Sequence, residues 1–143
     1  MKVLIDPNVF LDVEQKRQPF YTDSANVLSE ALSQRFEAWM PAHCLTTLHY
    51  LIERYADTAA ANQAVDWHLK HFRIPPLDET VFKQARTLGM DDFEDAVVAA
   101  SAQQLGGDWI VTRNVGDFRN SPVPAISPTD FLLQLDSLEA QGF

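Results

Sequence analysis

Asp92-Phe93-Glu94-Asp95-Ala96-Val97-Val98-Ala99-Ala100-Ser101-Ala102, followed after Gly106-Gly107 by Trp109-Ile110-Val111-Thr112-Arg113-Asn114-Val115-Gly116-Asp117-Phe118, is the stretch on which the fold turns. The first segment reads as a helix that opens with acids and continues in small residues, and the second as an apolar strand ending in polar residues. The opening of the chain, Lys2-Val3-Leu4-Ile5-Asp6-Pro7-Asn8, repeats the second form: an apolar run that stops at a carboxylate. Short apolar runs are the pattern of parallel strands buried on both faces, and in open α/β sheets ligand sites form beyond the carboxyl ends of the strands. Asp6, Asn114 and Asp117 fall at such ends, and the helix contributes Asp92 and Asp95. Acids at three element ends imply one acidic pocket.

Outward from these segments the chain alternates. After the first strand at 2–5, Ala25, Val27, Leu28, Ala31 and Leu32 give the stripe of an amphipathic helix, and Phe36 to Met40 reads as a second strand. Pro41 ends that strand; Leu45, Leu48, His49, Ile52 and Tyr55 follow at helical spacing, then a helix near 59–69 and a short third strand at Phe72 to Ile74. Asp78 is placed to cap a helix near 79–88, with Gly89 as the residue just past its end. The acidic helix covers about 92–105, Trp109 to Val111 is a fourth strand, Val123 to Ile126 a fifth, and Ser127-Pro128 caps the last helix. This alternation predicts an α/β/α sandwich around a mostly parallel sheet of four to five strands.

At 143 residues, with no repeat or Gly/Ser linker, the chain reads as one domain over 1–136, and 137–143 as a weakly patterned tail that frays. A hydrophobic content of 46% and a charged content of 22% are those of an ordinary globular protein. No membrane span is legible, the single Cys44 excludes an intramolecular disulfide, and a cytoplasmic location is expected. The formal charge of −9 argues against broad non-specific binding to a polyanion, so contact with nucleic acid must be local and cation-assisted.

Asp92 and Asp95 are three apart and share a helix face, whereas Asp91 and Glu94 are expected to point elsewhere. Acids at a helix N-terminus are ordinary caps, and Asp6-Pro7-Asn8 by itself is an ordinary turn. Their joint occurrence favours a site. Carboxylates crowded together raise one another's pKa unless a cation neutralises them, and Mg²⁺ or Mn²⁺ takes one or two carboxylates and several waters.

At these residues the sequence resembles the PIN-domain family, especially its VapC-like members, over nearly the whole chain. The resemblance falls on Asp6 with Asn8, on Asp95 ahead of its small-residue run, and on Thr112, Asn114 and Asp117-Phe118. It implies a PIN-like sandwich; Asp6, Asp95 and Asp117 as metal-binding acids; and Asn114 as a polar ligand to metal, water or phosphate. Asp92 would be an extra ligand, with Asn8 and Thr112 flanking the site. It further implies metal-dependent cleavage of single-stranded RNA, an antitoxin partner and a homodimer. Two positions depart from the family pattern. Cys44-Leu45-Thr46-Thr47-Leu48-His49 lacks the Glu common early in the helix after strand two, leaving Thr47 in its region, and Pro7 replaces the usual Thr.

Arg113 lies between the strand end and the acidic loop, where it could touch a substrate phosphate. His43, His49, His68 and His71 share no zinc-site spacing with a cysteine. Cys44 reads as a buried small hydrophobe, Glu53 as a surface acid, and Trp39, Trp67 and Trp109 as core or interface residues. A PIN-like fold without nuclease activity is the alternative that Thr46-Thr47 suggests. A phosphatase using Asp6 as nucleophile is disfavoured, because Asn8 stands where its second Asp is required.

Overall fold

The computed structural model describes residues 1–142; Phe143, the last residue of the expected tail, lies outside the described residues. Four strands, β1 (Lys2–Ile5), β2 (Glu37–Trp39), β3 (Trp109–Val111) and β4 (Ala125–Ile126), form one sheet in the order β2-β1-β3-β4. Every pairing is parallel, with Leu4 opposite both Trp39 and Ile110. The chain leaves β1 for β2 on one side and later returns to build β3 on the other. The crevice beyond the carboxyl ends of β1 and β3 is therefore the switch point at which such sheets bind ligands.

Strand residues alternate between two cores, as the period of two dictates. Val3, Ile5 and Val111 face one side, where helices α1 (Pro7–Glu14), α2 (Tyr21–Leu32), α3 (Ala42–Tyr55) and the last helix pack with Phe10, Val27, Leu48 and Phe131. Two further helices complete the middle of the chain, α4 (Thr58–His71) and α5 (Glu79–Thr87). Leu4 and Ile110 face the other side and meet Val98, Ala99 and Ala102 of α6 (Phe93–Gln104). On its outer flank α6 turns Ala96, Val97 and Ala100 to Val81 and Ala85 of α5. Its unbroken run of seven buried residues, Ala96 through Ala102, is what lets it sit between the sheet and a second helix. Gly89 and Gly106 take positive φ values of 67° and 73° just past the ends of α5 and α6, a conformation that stops a helix without Cβ strain.

Two sequence expectations need correction. Asp6-Pro7-Asn8 is no isolated turn: α1 begins at Pro7, where a missing N–H costs the helix nothing, and buries Val9, Phe10 and Asp12. Phe72 to Ile74 is no strand; Arg73 makes a single parallel bridge to Trp39, and Pro75-Pro76 removes the donors that would extend it. The sheet accordingly has four strands, all parallel. The last helix, α7 (Pro128–Ala140), is capped by Ser127, whose side chain accepts from the Asp130 N–H.

Candidate active site

The carboxyl edge of the sheet fixes Asp6 through its backbone. Its N–H donates to Val111 O at 2.9 Å, and Thr112 N–H donates to Ile126 O at 2.9 Å, so both residues continue the ladder one position past their strands. Their side chains then meet: Thr112 Oγ1 lies 2.8 Å from Asp6 Oδ2, inside the fold. The same Oγ1 accepts from Asn8 Nδ2 at 3.3 Å and from the Asn114 N–H at 3.1 Å. A hydroxyl has one proton and two lone pairs. With both lone pairs facing N–H donors, the proton goes to Asp6. Asn8, Thr112 and Asn114 thus aim one carboxylate.

The N-terminus of α6 supplies the second acid. Asp92 is its N-cap, accepting from the Asp95 N–H at 2.9 Å, so the ordinary capping reading holds for Asp92. Asp95 opens into a cleft of about 430 Å³, whose walls include Asp91, Asp92, Asp117, Arg119 and Asn120. Asp117 enters from a 3-10 turn, Val115–Phe118, whose first bond runs from the Asp117 N–H to Asn114 O at 3.0 Å. Asn120 Nδ2 donates to Gly89 O at 2.9 Å and ties the far wall of the cleft to the loop before α6.

The electrostatics follow from this crowding. Burial lifts the Asp6 carboxyl from 3.8 to about 7; the Thr112 hydrogen bond pulls the other way, Asp95 and Glu94 push it up, and Arg113 lowers it. Burial likewise raises Asp95 from 3.8 to about 6, with Asp92, Asp117 and Glu94 adding to the effect. Burial also pushes the Cys44 thiol above its ordinary range, and Asp6 and Glu94 reinforce the shift, so Cys44 stays protonated and packs as the small hydrophobe expected from sequence.

Of the residues singled out from sequence, Asp6, Asn8, Thr112 and Asn114 share one hydrogen-bonded group, while Asp92, Asp95 and Asp117 share the cleft. Asp95 joins the two groups electrostatically. Thr47 stays within its helix, its Oγ1 donating to His43 O at 3.2 Å. Arg113 turns away from the cleft: its Nε donates to Asp12 Oδ2 at 2.9 Å. Sequence reasoning missed Asp12, whose burial follows from the packing of α1, a helix not read from the sequence. It also set aside Asp91, which lines the cleft, and Glu94, whose Oε1 lies 3.4 Å from His43 Nε2 at the start of α3. In the first helical turn, side chains lean past the helix end, which brings neighbouring acids to one edge.

Among the described residues no three His, Cys, Asp or Glu side chains converge tightly enough to hold an ion by themselves. The donor set is nonetheless of the hard-cation kind: the carboxylates of Asp95 and Asp117 line the cleft, and the buried Asp6 lies close enough for Asp95 to raise its pKa. It fits an ion that keeps several waters and takes one or two protein carboxylates.

The family model described as PIN domain matches residues 2–116. A comparison with curated proteins finds no match. Among solved structures, VapBC-1 from nontypeable Haemophilus influenzae is similar at 16% identity and a TM-score of 0.68, over 90% of this chain and 99% of that one. FitAcB from Neisseria gonorrhoeae is 22% identical with a TM-score of 0.66, over 89% of this chain and 98% of that one. The sarcin-ricin loop cleaving toxin VapC20 of Mycobacterium tuberculosis is 16% identical with a TM-score of 0.59, over 76% of this chain and 86% of that one. At such identities the likeness is one of fold.

Proposed function

The chain belongs to the PIN-domain family, and from that premise we propose that it is a metal-dependent endoribonuclease of the VapC-like toxin kind, cleaving single-stranded RNA. The observation that carries this reading is the hydrogen-bonded set Asn8-Thr112-Asn114 aiming Asp6 at the edge where Asp95 opens into the cleft. PIN domains are generally nucleases, and a carboxylate so buried and oriented is costly to a fold with no use for it.

Asp6 and Asp95 would hold one Mg²⁺ or Mn²⁺, with Asp117 joining through the cleft. Such an ion supplies neutralisation of phosphate charge and a more acidic bound water. The chain's own residues do the rest. Thr112 keeps Asp6 in one rotamer, Asn114 offers its exposed side chain to water or phosphate, and Asp92 holds the first turn of α6 so that Asp95 stays in the cleft. Glu94, beside His43 at the start of α3, supplies a carboxylate near the place where Thr47 stands for the usual Glu. VapBC-1 and FitAcB share the fold of this chain; by that likeness we assign this chain an antitoxin partner, and a homodimer as its working form.

A second reading has its own observation. Thr47 donates within its helix and offers the site nothing, which favours a PIN-like module that binds without cleaving. One experiment separates the two: pure protein with a fluorophore-quencher single-stranded RNA, in Mn²⁺, Mg²⁺ or EDTA, beside Asp6→Asn and Glu94→Gln. The nuclease reading expects cleavage that requires the metal and Asp6 and falls in Glu94→Gln. Cleavage indifferent to EDTA and to Asp6→Asn would sink it.

A further inference from the structure

Beyond β4 the carboxyl edge of the sheet continues into a second hollow of about 310 Å³, walled by Pro19, Phe20, Ser24, Arg113, Pro128 and Thr129, with Asp23 and Ser127 completing it. Its parts are joined to the acidic edge. Arg113 directly follows Thr112, the residue that holds Asp6, and its Nε bonds Asp12, which is fully buried. This pairing takes up the charge of the cation and fixes the guanidinium plane, whose Cζ lies 4.4 Å from the centre of the Phe20 ring. Phe20 remains 40% exposed, a large ring left open to solvent. Ser24, in the wall, is 0% exposed, and its Oγ has no hydrogen-bond partner.

We infer that this hollow receives one unpaired nucleobase of the RNA strand whose phosphate would be met by the ion on Asp6 and Asp95. The inference rests on the ribonuclease reading. Flat, polarisable walls suit a base, because aromatic rings and arginine planes stack on any of the four. A phosphate suits them poorly: Arg113 is already paired, and Asp23, which accepts from Thr129 Oγ1, adds negative charge. Asp23 favours a base that presents amino or ring N–H donors. Continuity supplies the register. Asp6, Arg113 and Ser127 follow β1, β3 and β4, which are adjacent in the sheet, so a strand laid along this edge passes both sites.

The test uses a short single-stranded RNA carrying one 2-aminopurine, whose fluorescence falls when the base stacks. It is scanned along the strand and bound to the full chain and to Asp6→Asn, which blocks cleavage. The expected result is quenching at one position in the full chain, kept at that position in Asp6→Asn with weaker binding of the RNA. Phe20→Ala, at an exposed ring, abolishes the quench and weakens binding about fivefold or more; Arg113→Lys reduces it. Circular dichroism confirms that each variant is folded. Quenching unchanged in Phe20→Ala overturns the subsite even if the RNA is cleaved. Quenching that depends on Phe20 in a protein that cleaves no RNA keeps the base site and removes the nuclease reading. Loss of a bound protein partner in Phe20→Ala, with quenching intact, assigns the hollow to protein and also overturns the proposal.

Discussion

Asp6 titrates at about 7 in the folded chain against an ordinary 3.8, because burial disfavours its charged form. Its folded pKa is raised, so its contribution to stability is fully present below 3.8 and is lost as pH rises to about 7. Asp95 adds the same sign over 3.8 to about 6. Without a divalent ion the protein should therefore melt at progressively lower temperature across this window. Asp6→Asn should flatten that slope and raise the melting temperature by a few degrees above the window, while removing cleavage. A variant no more stable than the parent there would mean that burial of Asp6 carries no electrostatic cost. Thr112→Val tests the aiming group: it leaves Asp6 Oδ2, Asn8 Nδ2 and the Asn114 N–H without their shared partner and should cost about 1–3 kcal/mol. Thr112→Ser should restore both stability in urea melts and cleavage; failure of Ser to do so would assign the role to the methyl group instead. Sequence alone located these residues but not their partners. Arg113 and Thr112 are neighbours in the chain, yet one faces Asp12 and the other Asp6, a division set by which side of the strand end each leaves.

Among the elements, α6 has the most constrained position. Ala99 faces the sheet and Ala100 faces α5, both fully buried, so neither side can take a larger residue without displacing the helix. Ala99→Leu should destabilise by about 1–3 kcal/mol. Because Asp95 is one turn away, the same change should lower cleavage even at temperatures where the variant is folded. Denaturant melts paired with the RNA assay read both effects, and full activity in a destabilised variant would show that the acids do not depend on the seating of α6. The small-residue run made this helix legible beforehand. α1 was not, since Asp-Pro-Asn is also a turn sequence, and only packing of Val9 and Phe10 into the core decides that the chain goes on as a helix. The segment at Phe72 failed in the other direction: its residues suit a strand, but two prolines leave it a single bridge.

For the molecule as a whole, a net charge of −9 and an acidic cleft oppose an RNA backbone, so binding should require a divalent ion and not merely tolerate one. Adding Mg²⁺ or Mn²⁺ should raise the melting temperature, by about 2.7 kcal/mol of stabilisation at a hundredfold excess over Kd, and Asp95→Asn should lose most of that gain. An equal gain in Asp95→Asn would move the ion elsewhere. Among the described residues no helix is long and apolar enough to cross a membrane. Apolar runs and small-residue spacing determined, from sequence by itself, the parallel α/β architecture, because strand and helix periods are local properties. The tertiary structure alone decided that Thr112 gives its proton to Asp6, that Glu94 bears on Asp6 and Asp95, and that Arg113 turns to Asp12 and Phe20 beside an unpartnered Ser24. Those contacts join residues from separate elements, and the direction of a side chain at a strand end or in a first helical turn is fixed only when the layers have packed.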